Sequence, residues 1–315
     1  MTRLLASSYD KSMSRAIVLE SFGGPEVLHL HEVAEPHVGP GQLRAHVTVV
    51  GLNPMDWIIT ASAEIAARFG LSTPTGFGTD YAGVVDEVGD GVTGFVVGDR
   101  VFGGIVSRAV ADYVIINPAS DDVYRTPDDV SDITASTLNI AARTASAALA
   151  AANVSEGDVL LIGGAAGGVG VFAIQLARLA GAKVIGTASE SSFDYIRGLG
   201  AEPVAYGEGL TGRVRALAPG GITAVIDLYG TETVETAHEL GVPSNRIVTI
   251  AAQVPGAISV SGANAAPGTL DRVAELVATG KITVPIAATY GVEQIRAAVV
   301  FQASRHVHGK IVVTL

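Results

Sequence analysis

Residues 158–189 read DVLLIGGAAGGVGVFAIQLARLAGAKVIGTAS and contain the two strands, the glycine turn and the helix of one βαβ unit. The apolar run at 159–162 predicts a buried strand, and apolar residues at helical spacing over 171–179 predict a helix. Small residues between them let backbone amides approach an anion at the positive end of the helix dipole. The predicted pyrophosphate site consists of Gly164, Ala165, Ala166, Gly167, Gly168, Val169 and Gly170.

The spacing of this turn departs from the usual dinucleotide-binding fingerprint. Ala165 stands where the first glycine of G-x-G-x-x-G is expected, so the motif reads A-x-G-x-x-G, or G-x-x-G-x-x-G from Gly164. A tight strand-to-helix turn without a ligand is the alternative interpretation. The strand before the turn and the helix after it favour the nucleotide site.

Composition limits the class of protein. The 315 residues suit two domains, and 48% hydrophobic with 16% charged residues is typical of a folded globular chain. A net charge of −11 repels phosphate backbones and anionic lipid, so we expect no nucleic-acid or membrane partner. Apolar runs are too short for a membrane span and no signal peptide is evident, which predicts a cytoplasmic protein. The absence of cysteine excludes thiolate catalysis and thiolate metal sites.

The first part of the chain is rich in strands and lacks βαβ alternation. Residues 60–69 are predicted to be helical, whereas residues 1–12 are expected to be an N-terminal extension, with Met13 as an alternative start. Strands are predicted at 15–20, 27–33, 43–50, 78–89 and 97–103, with β structure continuing to about 116.

A change of pattern follows at a helix pair over 131–153, capped by Ser131 or Asp132. Strands and helices then alternate, which predicts a parallel sheet of order 3-2-1-4-5-6. We expect a catalytic domain formed by 1–130 and 269–315, with a cofactor domain over 131–268. The strands predicted in the cofactor domain are 159–162, 183–187, 203–206, 224–228, 246–250 and 257–260.

Six segments together resemble the medium-chain dehydrogenase/reductase superfamily, and specifically its zinc-free quinone oxidoreductase branch, the zeta-crystallin-like group. The resemblance implies an α/β fold in which a GroES-like β-rich catalytic domain joins a Rossmann domain with a doubly wound parallel sheet. It also implies NADPH as cofactor and a homodimer. The segments are FGGPEVL at 22–28, GLNPMDW at 51–57, GTDYAGVV at 78–85, VGDRVFG at 97–103, GAAGGVG at 164–170 and HGKIVV at 308–313.

The resemblance also bears on zinc. Zinc alcohol dehydrogenases of the superfamily place a metal-binding Cys where this chain has Asn53 and a metal-binding His where it has Thr79. Neither residue is an adequate replacement, so we expect no metal. The implied enzyme is an NADPH:quinone reductase or an enone or enoyl reductase, which transfers hydride to a quinone or an α,β-unsaturated carbonyl. The alternative is an NADPH-binding sensor or structural protein with little catalysis.

Negative charge that develops on the substrate oxygen needs a donor other than a metal. Asn53 is our first choice, and capping of the next helical turn is its alternative role. Trp57 is expected to shape the pocket, while Thr79 or Asp80 contacts nicotinamide or substrate. Thr144 matches a family threonine on the nicotinamide side, although a helical threonine can also simply bond its own backbone.

Cofactor choice depends on the end of the second parallel strand. NAD-selective domains carry an acid there, whereas this chain has Ala188, so a 2′-phosphate meets no fixed repulsion. Ser189, Ser191 and Ser192 can donate to that phosphate, and Tyr206 matches a family tyrosine near it, with strand packing as its alternative role. The residues expected to approach nicotinamide at the fifth strand are Ile250 and Ala251.

Two features oppose or complicate the NADPH prediction. The family often has a lysine near Ser192 that this chain lacks, and Glu190 opposes an anion; Arg143 and Arg197 are the candidate distant replacements. The pairs His29–His31 and His306–His308 are interpreted as solvated surface, with metal binding as the alternative.

Overall fold

Two large sheets and a small antiparallel sheet near the start of the chain, formed by residues 13–18 and 29–34, are present in the computed structural model, which describes residues 12–305 and 307–315. The predicted extension up to residue 11, and His306 of the second histidine pair, lie outside the described residues. The strands are β1 (Met13–Val18), β2 (His29–Ala34), β3 (Leu43–Leu52), β4 (Asp80–Val88), β5 (Arg100–Gly104), β6 (Tyr113–Ile116), β7 (Asp122–Arg125), β8 (Val159–Gly163), β9 (Lys183–Ala188), β10 (Glu202–Ala205), β11 (Ala224–Asp227), β12 (Ile247–Thr249), β13 (Ile258–Ser259), β14 (Ile286–Gly291) and β15 (Lys310–Thr314).

The α-helices lie mostly between the strands of the second half of the chain. They are α1 (Pro54–Thr60), α2 (Ala63–Ala67), α3 (Asp132–Ala135), α4 (Asn139–Ala151), α5 (Gly168–Leu179), α6 (Phe193–Leu199), α7 (Leu210–Leu217), α8 (Glu232–Glu239), α9 (Thr269–Ala278) and α10 (Ile295–Ala303). Single 3-10 turns occupy Pro25–Val27, Glu190–Ser192, Ser244–Arg246, Gly262–Asn264 and Val292–Gln294.

The cofactor domain is a six-stranded sheet of order β10-β9-β8-β11-β12-β13, and all of its neighbouring strands run parallel. This arrangement confirms the predicted order 3-2-1-4-5-6. Leu160 and Ile162 of β8 are fully buried, together with Val171 and Ile174 of α5. The apolar runs of the opening segment therefore form the centre of this domain's core.

The catalytic domain is built on a second, mixed sheet of order β14-β15-β3-β4-β5-β7, with β6 also paired to β3. Its core is a separate cluster that includes Val50, Tyr81 and Val313. Strand β15 runs antiparallel to β3, with Ile311 opposite Leu52. The end of the chain is thereby brought beside the strand that leads to Asn53. The α/β fold with a GroES-like domain and a Rossmann domain is confirmed.

Some elements differ from the sequence prediction. The helix predicted at 60–69 is shorter and is α2, which Ser62 caps, its hydroxyl accepting from the amide of Ile65 at 3.3 Å; Thr60 ends the separate helix α1, which begins at Pro54. Helix α7 was not predicted. Its segment does carry Leu210, Val214 and Leu217 at helical spacing, and Leu210 and Val214 are buried against the parallel sheet.

Helix α9 packs with the cofactor domain rather than with the catalytic sheet. Leu270, Val273 and Ala274 share one buried cluster with Leu160 and Ile162 of β8. Because β14 is the next element in the catalytic sheet, we propose that the second domain crossing lies between α9 and β14 instead of at residue 268.

Candidate active site

The glycine turn between β8 and α5 has the geometry of an anion cradle. Gly164 has φ +68° and its amide donates to Thr187 Oγ1 at 3.1 Å, which fixes the turn to β9. A Cβ on Gly170 would lie 2.2 Å from the carbonyl oxygen of Ala165, so only glycine lets α5 approach the turn this closely. The first amides of α5 have no partner within their helix and are available to an anion.

The last strand of the chain passes directly against this turn. The amide of Gly309 donates to the carbonyl oxygen of Ala166 at 3.0 Å. The stem of Lys310 covers Gly168, where a Cβ would lie 2.9 Å from Lys310 Cδ. The catalytic sheet and the cofactor domain therefore meet at the glycine turn.

A buried hydrogen-bond network leads from Lys310 into the catalytic domain. Its Nζ donates to Asn53 Oδ1 at 2.6 Å and to the carbonyl oxygen of Leu52 at 3.1 Å. Asn53 Nδ2 donates to Asp80 Oδ2 at 2.8 Å, and Asp80 Oδ1 accepts from Asn139 Nδ2 at 3.1 Å. Lys310, Asn53, Asp80 and Asn139 are all buried, so the orientation of the Asn53 amide is determined by its partners on both sides.

The two roles considered for Asn53 can be compared with this geometry. Asn53 is the N-cap residue of α1, and its backbone amide donates to Asp56 Oδ2 at 2.8 Å as in a capping box, while its side-chain oxygen accepts from Lys310. One amide N–H is held by Asp80, whereas the contact of Nδ2 with the carbonyl oxygen of Gly51 is long, at 3.4 Å. Asn53 is 3% exposed. The second N–H of the Asn53 amide is thus held less strongly than the one that Asp80 accepts.

Thr79 is held by a second buried acid. Its hydroxyl donates to Asp56 Oδ1 at 2.7 Å, and the amide of Asn53 donates to Asp56 Oδ2 at 2.8 Å. Burial raises the pKa of Asp56 to about 7, and the nearby charge of Asp80 adds to the increase. Burial also raises the pKa of Asp80, against the opposing effect of Lys310, and lowers the pKa of Lys310. One lysine therefore lies near two carboxyl groups, and all three side chains are buried.

Trp57 and Thr144 lie on helices that border the network. Trp57 is half-buried against the core of the catalytic sheet, and within the described residues its indole N–H is buried without a hydrogen-bond partner. The Thr144 hydroxyl donates to the carbonyl oxygen of Ile140 at 2.7 Å, which is the backbone-bonded alternative. The Thr144 hydroxyl oxygen lies 3.2 Å from where a Cβ on Gly262 would be.

At the end of β9, Ala188 is buried and is followed by a cluster of hydroxyls. Ser189 Oγ lies 2.8 Å from Ser192 Oγ and 3.0 Å from Ser191 Oγ. Ser192 Oγ also lies 2.7 Å from Nε2 of His308. Tyr206, which follows β10, is 55% exposed, so it does not have the role of a packed strand residue.

Both arginines that were considered as substitutes for the missing lysine form ion pairs with other side chains. Arg143 pairs with Asp122 at the start of β7. Arg197 pairs with Asp194 at 3.0 Å and lines a surface depression with Lys183, where β9 begins. The depression lies at the amino ends of the strands, so the expectation that Arg197 replaces the missing lysine was wrong.

Ile250 and Ala251 follow β12 at the carboxyl edge of the parallel sheet. The amide of Ile250 donates to the carbonyl oxygen of Asp227 at 3.0 Å, and the amide of Ala251 donates to Thr249 Oγ1 at 3.2 Å. Asp227 Oδ1 accepts from the amides of Tyr229 and Gly230, both at 3.2 Å. Asp227 therefore holds the loop after β11.

Asp56 and Lys310 had no assigned role from the sequence, and the interpretation of His308 as solvated surface was wrong, because its half-buried ring contacts Ser192 and Tyr195. Lys310 stood within a recognised segment, but a lysine at the start of a strand usually indicates a solvated side chain. His308 and Ser192 are 116 residues apart, so no local pattern could pair them. In contrast, Asp56 stands three residues after Asn53 within GLNPMDW, so the sequence did carry a signal for this acid.

The histidine pair His29–His31 lies beside an arginine. The two rings stand 6.2 Å apart, and Arg296 lies 2.7 Å from His29 Nδ1. Across the part of the chain that the structure describes, no group of three or more His, Asp or Glu side chains is placed to hold a metal ion.

None of the helices in the described ranges has the length and apolar character needed to span a bilayer.

Two family models match this chain. One, described as an alcohol dehydrogenase GroES-like domain, matches residues 39–119, and the other, described as a zinc-binding dehydrogenase, matches residues 168–273. The quinone oxidoreductase of Sus scrofa is 38% identical over 181 residues, which are 56% of this chain and 54% of that protein. The spectinabilin polyketide synthase system protein NorB of Streptomyces orinoci is 33% identical over 308 residues, 90% of this chain and 14% of that protein. The chain thus spans about half or less of these relatives.

Solved structures agree with these matches. The quinone oxidoreductase from Coxiella burnetii superimposes with a TM-score of 0.84 at 27% identity, covering 96% of this chain and all of that one. The CurK enoyl reductase has a TM-score of 0.85 at 23% identity, covering 96% of this chain and 99% of that one, and supports the fold alone. The matched models, the relatives and the two-domain architecture lead to one conclusion: the chain belongs to the medium-chain dehydrogenase/reductase superfamily, in its quinone oxidoreductase branch.

Proposed function

We propose that this protein is an NADPH-dependent oxidoreductase that transfers hydride to a quinone or an α,β-unsaturated carbonyl without zinc. The observation that carries the proposal is the contact between the glycine turn and the Lys310–Asn53–Asp80 network. It brings a predicted dinucleotide site and the aligned catalytic positions to one place, where the two domains meet.

The residues at the carboxyl edge of the parallel sheet fit a dinucleotide. The glycine turn and the amides of α5 suit a pyrophosphate, and Ala188 with its serine cluster leaves room for a 2′-phosphate where an acid would exclude it. NADPH would supply the hydride when bound. Exposed Tyr206, together with Ile250 and Ala251, lies at the same carboxyl edge and is assigned to the cofactor by position.

The chemistry of the donor set supports a reaction without zinc. Asn53 and Thr79 stand at the aligned ligand positions, and both are engaged by neighbouring side chains, Asn53 by Lys310 and Asp80 and Thr79 by Asp56. An amide and an aliphatic hydroxyl are poor zinc ligands, and the chain has no cysteine. A conjugated carbonyl can accept hydride without the Lewis acid that alcohol oxidation requires.

The side chains of the protein must bind and orient the substrate and stabilise the negative charge that develops on its oxygen. Asn53 is the proposed donor to the oxygen that gains negative charge, through the N–H that now makes the long contact with Gly51. Lys310 holds the amide oxygen and adds positive charge nearby, while Asp80 fixes the other N–H. Trp57 is assigned to the pocket wall and Thr144 to the nicotinamide side. Burial of Asn53, Asp80 and Lys310 strengthens each of these interactions, because the local dielectric is low.

The test is a spectrophotometric assay of NADPH oxidation against a panel of quinones, enones and enals, with NADH as the comparison and metal content measured in the same preparation. Turnover of at least one acceptor, unaffected by a chelator, is expected. Bound NADPH with no turnover of any acceptor would overturn the enzyme proposal in favour of a nucleotide-binding sensor. Loss of activity that zinc restores would overturn the metal-free reaction.

The homodimer, the cytoplasmic location and the absence of nucleic-acid or membrane partners remain predictions. The dimer is inferred from the family, whereas the absent partners follow from the charge of −11. Light scattering coupled to size-exclusion chromatography checks the oligomeric state of the purified chain.

A further inference from the structure

The segment before β15 delivers a histidine to the serine cluster of the cofactor domain. His308 Nε2 lies 2.7 Å from Ser192 Oγ, and Ser192 is 3% exposed. The ring of His308 stacks on Tyr195 of α6, with centroids 5.0 Å apart. The side chain is therefore held in a defined position from two sides.

The backbone explains why the ring reaches this point. Gly309 has φ +91°, and a Cβ there would lie 2.3 Å from the carbonyl oxygen of Pro285, so the chain turns sharply where only glycine fits. The amides of Gly309 and Lys310 are each tied by a 3.0 Å hydrogen bond, to the carbonyl oxygens of Ala166 and Pro285 respectively. His308 thus projects from an anchored turn.

We propose that His308 is the cation that recognises the 2′-phosphate of NADPH, acting with Ser189 and Ser192. This inference rests on the proposed function and adds a residue that determines cofactor specificity. A 2′-phosphate carries about two negative charges, and hydroxyls alone donate hydrogen bonds without neutralising them. His308 supplies a positive donor at a turn where a lysine is missing and where Arg197 is committed to the opposite edge.

The other charged side chains near His308 are exposed to solvent or engaged with other groups. Glu190 lies in the 3-10 turn of the serine cluster and is exposed, while Asp194 of α6 is 99% exposed and paired with Arg197. Tyr195 presents the face of its ring, and Lys310, two residues on, turns its Nζ into the buried network. Exposed carboxylates are screened by solvent and salt.

The experiment measures binding, not turnover, with two fragments of the cofactor. Isothermal titration calorimetry gives the affinities of 2′,5′-ADP and 5′-AMP, which differ only in the 2′-phosphate. His308→Gln removes the charge, and His308→Phe keeps a ring on Tyr195. We expect each to weaken 2′,5′-ADP binding by about tenfold or more and to leave 5′-AMP binding unchanged. His37→Gln, at an exposed histidine paired with Glu87, is the matched control and leaves both affinities unchanged.

One further variant separates charge from packing. His308→Lys keeps a positive charge at this position and should retain the preference for 2′,5′-ADP. If His308→Gln and His308→Phe bind 2′,5′-ADP as tightly as the wild type does, the His308 assignment is overturned and the proposed function stands. If the wild type shows no preference between the fragments, the NADPH assignment itself fails.

Discussion

The side-chain oxygen of Asn53 accepts a 2.6 Å hydrogen bond from Lys310 Nζ, across 257 residues of chain. This bond joins the last strand to the position at which zinc-dependent relatives carry a metal ligand. Lys310 also packs its stem on Gly168 of the glycine turn. A single side chain therefore contacts both the glycine turn and the Asn53 amide.

Replacing Lys310 should destabilise the fold strongly. Lys310→Met leaves Asp80 buried beside Asn53 without its cation, for which we expect a loss of about 3–5 kcal/mol in the free energy of unfolding. Urea denaturation measures this loss. The double variant Lys310→Met with Asp80→Asn should recover part of it, because the buried charge is removed as well. Lys281→Met, at an exposed position, is the control, and equal losses at both lysines would contradict the role of the network.

Asp56 should make stability depend on pH. Its pKa is about 7 in the folded chain and about 4 when unfolded, so between these values the native state binds more protons. The free energy of unfolding therefore falls as pH rises through this window, by up to about 1.4 kcal/mol per pH unit, and then levels off.

Asp56→Asn mimics the protonated acid and should lose this component. Urea denaturation of wild type and variant between about pH 4 and about pH 8 compares the two curves. The free energy of unfolding of the variant is expected to increase relative to that of the wild type as pH rises. Asp128→Asn, at an exposed acid, should run parallel to the wild type. Parallel curves for Asp56→Asn would show that this carboxyl does not gain a proton on folding.

Gly170 should tolerate no side chain. In Gly170→Ala the new Cβ would meet the carbonyl oxygen of Ala165 at 2.2 Å, so the turn must move. We expect a loss of stability of about 2 kcal/mol or more and weaker nucleotide binding. Gly198→Ala in α6 has nothing within 4 Å and should stabilise by about 0.5–1 kcal/mol. Thermal unfolding with 2′,5′-ADP titration checks both, and unchanged binding in Gly170→Ala would argue against a nucleotide at the turn.

An acid at the end of β9 should reverse cofactor preference. Ala188→Asp places a carboxylate next to Ser189, where it repels a 2′-phosphate and accepts from a 2′-hydroxyl. We expect NADPH binding to weaken and NADH binding to improve, as measured by fluorescence titration. Ala180→Asp adds the same charge at the far end of α5 and should change neither affinity. Equal NADPH affinity in wild type and Ala188→Asp would place the 2′-phosphate elsewhere.

The sequence by itself determined the elements that follow from local pattern. The apolar runs and helical spacing of residues 158–189 predicted β8, α5 and β9, and repetition of that alternation predicted the sheet order. Local information also located the glycine turn, since a tight turn with φ above zero and a close helix needs glycine at particular positions. Helix α7 was not predicted, although Leu210, Val214 and Leu217 stand at helical spacing and the first two are buried on the sheet.

Only the tertiary structure decided how the candidate site is assembled. Antiparallel pairing of β15 with β3 brings Lys310 to Asn53, and the sharp turn at Gly309 brings His308 to Ser192. Neither pair has a sequence signal, because each joins segments more than 100 residues apart that meet only in the folded chain. Burial, which also depends on tertiary structure, is what raises the pKa of Asp56 and lowers that of Lys310.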